Sequence, residues 1–239
     1  MTGLILLFLF PIPGNAQEWG GEKPINFWDH WSININAGMM SYFGDLSYHD
    51  SDVLDKLNYE SKPAFDLMIT KHFDKKFGIS GQLLYGQIKG GDNINSSFET
   101  DLFEYNVQAR LDFIRLILPG RNPKFGLEGF AGIGHTWFKS ETYKLNEDEP
   151  IKTTYRPGVP EFVYFGGIGM HYHIHEQFAV TTSLSLRHLQ NDKLDQVVKN
   201  DNYDFYSYFS IGLIYYIGSK RYQPLKNKAR LAHSSKRSR

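Results

Sequence analysis

Residues 103–113, FEYNVQARLDF, alternate apolar and polar side chains without a break. A period of two belongs to a β-strand with two unlike faces, because successive side chains leave a strand on opposite sides. The stretch constrains the fold because its second face is so polar: Glu104, Asn106, Gln108, Arg110 and Asp112 stand opposite Phe103, Tyr105, Val107, Ala109, Leu111 and Phe113. The same alternation recurs at 33–39, 65–70, 77–85, 125–133, 162–172, 178–187 and 205–217. With 103–113, these segments predict about eight strands, an even number.

The connections have a rhythm of their own. Long polar stretches follow the first, third, fifth and seventh segments, at 44–60, 89–101, 140–160 and 190–203, carrying runs such as DLSYHDSD, GGDNINSS and KLNEDEPIK. Tight links follow the second, fourth and sixth: Asp74-Lys75-Lys76, Leu118 to Lys124, and His175-Glu176. Long loops alternating with short turns predict an all-β, eight-stranded, antiparallel up-and-down transmembrane barrel, with long loops outside the cell and short turns in the periplasm. A water-soluble barrel would hold its apolar face inward. Here the apolar face is large and aromatic, and the polar face is built of Gly, Asn, Ser and single charges, which suits a narrow lumen filled by side chains. Glu104, Arg110, Asp112, Glu128 and Arg187 are the expected lumen network, paired because an isolated buried charge is too costly. Phe43, Phe73, Phe77, Tyr85, Phe103, Trp137, Phe162, Tyr164 and Phe205, at strand ends, are the expected interfacial girdles. The alternative is a soluble lipocalin-like barrel with its faces reversed.

Composition agrees with a β-rich envelope protein. Of 239 residues, 15% are aromatic and 22 are Gly, and there is no Cys, so the fold needs no disulfide. Formal net charge is zero, which gives no ground for a nucleic-acid partner. Leu4 to Phe10 is an apolar run ending at Pro11, and Gly14-Asn15-Ala16 is a small-residue cleavage site. Residues 1–16 therefore read as a secretory signal peptide, although no Lys or Arg precedes the run. Past it no run of 18 apolar residues remains, so no transmembrane helix is expected. The expected organisation is signal peptide 1–16, periplasmic segment 17–30, outer-membrane barrel 31–218 and a basic periplasmic tail 219–239, expected to be disordered.

GMMSYFGDL (38–46), KPAFDL (62–67), YGQIKGGD (85–92), GFAGIG (129–134) and NDKLDQ with DFYSYFSIGLIYYIG (191–218) resemble a Bacteroidota outer-membrane β-barrel family. That family is OmpA-like in its barrel and includes PorG of the type IX secretion system. The resemblance covers about 31–218; YFGDL and DKLD are its better markers. It implies an outer-membrane location, no enzymatic activity and, for the PorG-like branch, association with periplasmic lipoproteins of the secretion machine. Outer-membrane lipid is the other expected partner. The tail carries eight Lys or Arg and no acid; Lys220, Arg221, Lys226, Lys228 and Arg230 are its candidate contacts to an acidic partner or anionic lipid headgroups.

Other constellations are weaker. His171, His173 and His175 share a face at i, i+2, i+4 near the short-turn end, but a third ligand on one strand lies too far along for zinc. Arg187-His188-Leu189-Gln190-Asn191 resembles the His-x-Ser-Asn stretch of outer-membrane lipid A deacylases, with Gln190 where the nucleophilic serine belongs; His188 reads as a loop-entry residue. KGGD (89–92) reads as loop. Asp45, Asp50, Asp52, Glu147, Asp148, Glu149, Asp192 and Asp195 are acidic loop residues, able in principle to hold divalent cations. No metal, cofactor or catalytic residue is expected. The favoured role is anchor or scaffold in an envelope assembly; a lipid-modifying enzyme and a small channel are the alternatives.

Overall fold

The computed structural model describes residues 30–43, 61–92, 96–118, 123–145, 150–190 and 205–217. The expected signal peptide 1–16, most of the 17–30 segment, the acidic loop residues and the five tail cations lie outside these. Among the described residues there are nine strands and one short helix: β1 Trp31–Phe43, β2 Ser61–His72, β3 Phe77–Asp92, β4 Ser96–Asp112, α1 Phe113–Ile117, β5 Phe125–Leu145, β6 Pro150–Tyr155, β7 Glu161–His173, β8 Phe178–Leu189 and β9 Phe205–Ile217.

Eight of the strands close a ring. β1 to β5 are paired in sequence, then β5–β7, β7–β8 and β8–β9, and β9 returns to β1. That last ladder is continuous from Trp31 opposite Ile217 to Phe43 opposite Phe205. All pairings are antiparallel, so the molecule is a closed eight-stranded up-and-down barrel, and no barrel strand keeps an unpaired edge along its paired span. β6 stands outside the ring as a hairpin arm on β5, from Ser140 opposite Tyr155 to Leu145 opposite Pro150.

Two of the expected loops are largely strand. β3 and β4 run on to Asp92 and from Ser96, so the KGGD reading as loop is corrected, as is most of 89–101. Similarly, β5 and β6 occupy much of 140–160. Alternation continues through both stretches. Ile88, Phe98, Thr100, Ser140 and Thr142 are buried inward, with Glu99 and Glu141 on the other parity. The outward positions are charged rather than apolar, and that hides the strand in a hydropathy reading. At 21 residues, β5 is about 70 Å long, about twice what a ~25 Å apolar band needs even at a 45° tilt. One side of the barrel therefore rises as a wall beyond the rest.

A third correction concerns Phe113, which leaves the strand. Asp112 caps α1, its Oδ1 accepting from the Arg115 backbone N–H at 2.9 Å, as Asp does at helix starts.

Candidate functional site

The outer wall comes first, because it decides what surrounds the barrel. Ile35 is 65% exposed, Val107, Ile133 and Leu213 57% each, and Phe65 59%. These are the apolar positions of their strands, and they point away from the lumen in every barrel strand. So much continuous exposed apolar surface is foreign to a protein standing in water. Aromatic residues ring both ends. Phe73 stacks on Phe77 at 6.0 Å at the short-turn end, where Phe125 and Phe178 begin their strands; Tyr85, Phe103, Trp137, Tyr164 and Phe205 stand exposed toward the other. A closed barrel with such a belt and two girdles spans a membrane, and the membrane such barrels occupy is the outer membrane.

Inside, the opposite parity places the polar residues. Glu104 and Arg187 are nearly inaccessible and ion-pair directly across the lumen from β4 and β8. Glu104 also accepts from the Tyr206 hydroxyl at 2.6 Å and from Asn106 Nδ2 at 2.6 Å. Arg187 donates to Ser185 Oγ at 3.2 Å and Gln82 Oε1 at 3.2 Å, and its guanidinium lies 4.3 Å from the Phe165 ring centroid. Such extra partners are what a buried ion pair needs to offset desolvation. Arg110 pairs with Glu128, donates to Met68 Sδ at 3.1 Å and sits 4.8 Å from the Phe130 ring. Asp66, absent from the five residues of the expected network, accepts from Asn36 Nδ2 at 2.8 Å and the Tyr208 hydroxyl at 2.7 Å. Its signal was available: it has the lumen parity of β2. Two glycines make room for the aromatic rings. A Cβ on Gly167 would lie 2.4 Å from Phe130 Cζ, and one on Gly132 would lie 2.6 Å from Phe165 Cζ.

The lumen filling is layered rather than polar throughout: the expected charge network occupies only part of it. Toward the long-loop end, Met40, Tyr42, Ile88, Phe98, Leu102 and Phe138 form a buried apolar cluster, joined by Val163 and Leu189. The rings of Tyr42 and Phe98 meet edge to face at 5.0 Å. Below it lies the ion network. Below that again, at the short-turn end, α1 folds under the mouth. Arg115 is buried and reaches three ways: to Asp112 Oδ2 at 3.5 Å, to the Lys75 carbonyl at 3.1 Å and to His173 Nε2 at 3.2 Å. A polar cavity of about 40 Å³ remains there, beside Asp112, Glu128 and His171. Arg115 could not be placed from strand parity, because it sits on a helix the alternation does not show.

The three histidines are not one array. His171 and His173 point inward from β7, ring centroids 5.1 Å apart, with His171 Nε2 3.7 Å from Asp112 Oδ2. β7 ends at His173, so His175 lies in the turn. No group of three or more ligating side chains is arranged to hold a metal among the described residues. His188 is corrected as well: it is a residue of β8, not of a loop. Its ring stacks flat on Phe205 at 4.3 Å and edge-on to Tyr164 at 4.6 Å.

On the projecting wall, Glu141 holds two ammonium groups, Lys139 and Lys152, the latter at 2.7 Å, and accepts from the Tyr143 hydroxyl at 3.1 Å. Hydrogen bonds from Lys139, then from Lys152, hold its carboxyl down to about 2. The same bond raises the Lys152 ammonium above its ordinary value.

No family model and no curated protein matches the chain. Among solved structures it is similar to Neisserial surface protein A, at 8% identity over 77% of this chain and 96% of that one, with a TM-score of 0.46. It is similar to Ail, the attachment invasion locus protein of Yersinia pestis, at 15% identity over 79% and 99%, TM-score 0.45. It is also similar to the outer membrane protease OmpT of Escherichia coli, at 7% identity over 79% and 97%, TM-score 0.42. Likenesses this remote transfer no role, and the class rests on the chain's own strand ladders and apolar belt: an outer-membrane β-barrel.

Proposed function

We propose that this barrel is a non-enzymatic anchor or scaffold in an envelope assembly. The observation that supports this most is the filled lumen: an apolar plug stacked on a bonded ion network, with cavities of about 40 and 10 Å³ between side chains. A pore needs a continuous aqueous path, and an eight-strand lumen packed this way lacks room for one. The working surfaces are then the two ends and the outer wall. The finer reading, a PorG-like component of type IX secretion contacting periplasmic lipoproteins, is supported by the YFGDL, GFAGIG and DKLD motifs and by a basic tail suited to an acidic partner.

Mild detergent extraction after cross-linking in intact cells tests the proposal. Periplasmic lipoproteins should co-purify with the full chain and be lost when the tail cations are replaced by glutamine. A barrel that purifies alone under both conditions overturns the scaffold reading. Purified protein should leave planar bilayers non-conducting; steady unitary currents would establish the channel alternative.

A further inference from the structure

Two grooves lie one above the other on the outer wall around β3, β4 and β5, the lower one reaching to Leu67 and Ile69 of β2 and to Phe162 of β7. The lower is a groove of about 560 Å³ at the level of the apolar belt. Its floor is Gly81, where a Cβ would meet nothing within 4 Å, and its walls include Leu83, Tyr105, Val107 and Ile133. The upper is a groove of about 310 Å³, lined by Tyr85, Phe103, Trp137, Lys139 and Arg156, with Asp101 on its rim. Each strand carries the two levels on the same outward parity, two residues apart: Leu83 then Tyr85, Tyr105 then Phe103, His135 then Trp137. Two strand residues are about 6.6 Å, so the upper groove begins where the lower one ends.

The chemistry changes between the levels as a lipid's does. The lower groove is mainly apolar, with His135 among its lining residues. In the upper one, Phe103 and Trp137 stack on each other with ring planes 19° apart and stand exposed, offering aromatic surface of the kind that packs against the apolar face of a sugar ring. Lys139 and exposed Arg156 stand at its edge. On the adjoining wall Glu141 is shared between Lys139 and Lys152, and Asp101 accepts from Gln87 Nε2 at 2.6 Å. Glu99 stands directly opposite Glu141 and is met by Lys62 Nζ at 2.9 Å. The lining of the groove itself has two cations, Lys139 and Arg156, against one carboxylate, Asp101, and that balance favours an anion.

We propose that this double groove binds one phosphorylated, acylated sugar lipid of the leaflet facing the long loops. Its phosphate meets Lys139 and Arg156, its sugar ring covers Phe103 and Trp137, and an acyl chain lies over Gly81. The site needs the barrel in its membrane and nothing of the assembly partner, so it stands apart from the scaffold role. An anion on two surface cations is a charge-assisted contact; the groove below adds chain burial.

Native mass spectrometry of the detergent-purified full chain tests this, with bis-phosphorylated lipid A, phosphatidylglycerol and phosphatidylethanolamine as separate probes. One tightly held lipid A adduct is expected, favoured over both glycerophospholipids. Lys139→Gln with Arg156→Gln should lower its occupancy about tenfold or more, Gly81→Leu should lower it by filling the floor, and Asp101→Asn should raise it. Each variant is first required to show the folded barrel's gel mobility. Equal binding of phosphatidylglycerol overturns the sugar assignment. Occupancy indifferent to all three variants, or a second copy of the chain in place of lipid, overturns the site.

Discussion

At the scale of single residues, the ion pair between Glu104 and Arg187 dominates the interior. Removing one partner strands a charge in the lumen, so Arg187→Met should destabilise the barrel by about 3–5 kcal/mol, read from urea unfolding in short-chain lipid vesicles. Glu104→Gln combined with Arg187→Met should cost less than Arg187→Met alone; an equal or larger loss would show that the pair is not coupled. Gly132→Val should cost about 1–3 kcal/mol by overpacking against Phe165. Parity alone told which residues share the inner face: Glu104, Arg110, Asp112, Glu128 and Arg187 all have it, and so does Asp66. The pairing of Glu104 with Arg187, 83 residues apart, was not legible, because it depends on which strands face each other across a closed ring. The apolar plug went unread for a related reason. Met40, Leu84, Ile88 and Leu102 sit at lumen parity in strands otherwise polar on that side, and an isolated apolar residue there looks like noise until the ring brings several together.

At the scale of elements, the hairpin of β5 and β6 depends on Glu141. Its carboxyl is depressed in the folded chain, so its ion pairs contribute fully above the ordinary value near 4.5 and are lost as pH falls through about 2. Hydrogen-exchange protection of residues 140–145 and 150–155, corrected for the intrinsic amide rate at each pH, should therefore be unchanged from pH 8 to 5 and should fall below about pH 3, while Glu141→Gln should show the lower protection at every pH. Helix α1 depends on Arg115 in the same way. Arg115→Ala cuts its ties to Asp112, Lys75 and His173 and should raise exchange across 113–118 without changing the gel mobility of the barrel. Of the elements, the eight barrel strands were legible from period two. The extensions of β3, β4 and β5, and β6, were not, because outside the bilayer an outward position carries charge and the hydropathy contrast vanishes while the backbone pairing continues. The turn of helix was hidden in what alternation extended as strand to Phe113, although Asp112 three residues before Arg115 is an N-cap signal.

At the scale of the whole molecule, ladder closure between β1 and β9 and the outward belt make one body that is stable in detergent only as a closed ring. Unheated samples should migrate faster on gel electrophoresis than boiled ones, and identical mobility would contradict the closed barrel. The crossing from Glu104 to Arg187 has a consequence for how such a ring is assembled. Neither partner finds the other until strands four and eight stand face to face. A slip of one residue in any ladder between them would present a guanidinium or a carboxylate to hydrocarbon. The correct alignment is thereby proofread by the solvent itself: bilayer oil rejects every misthreaded ring, and the bond inside rewards the one that fits.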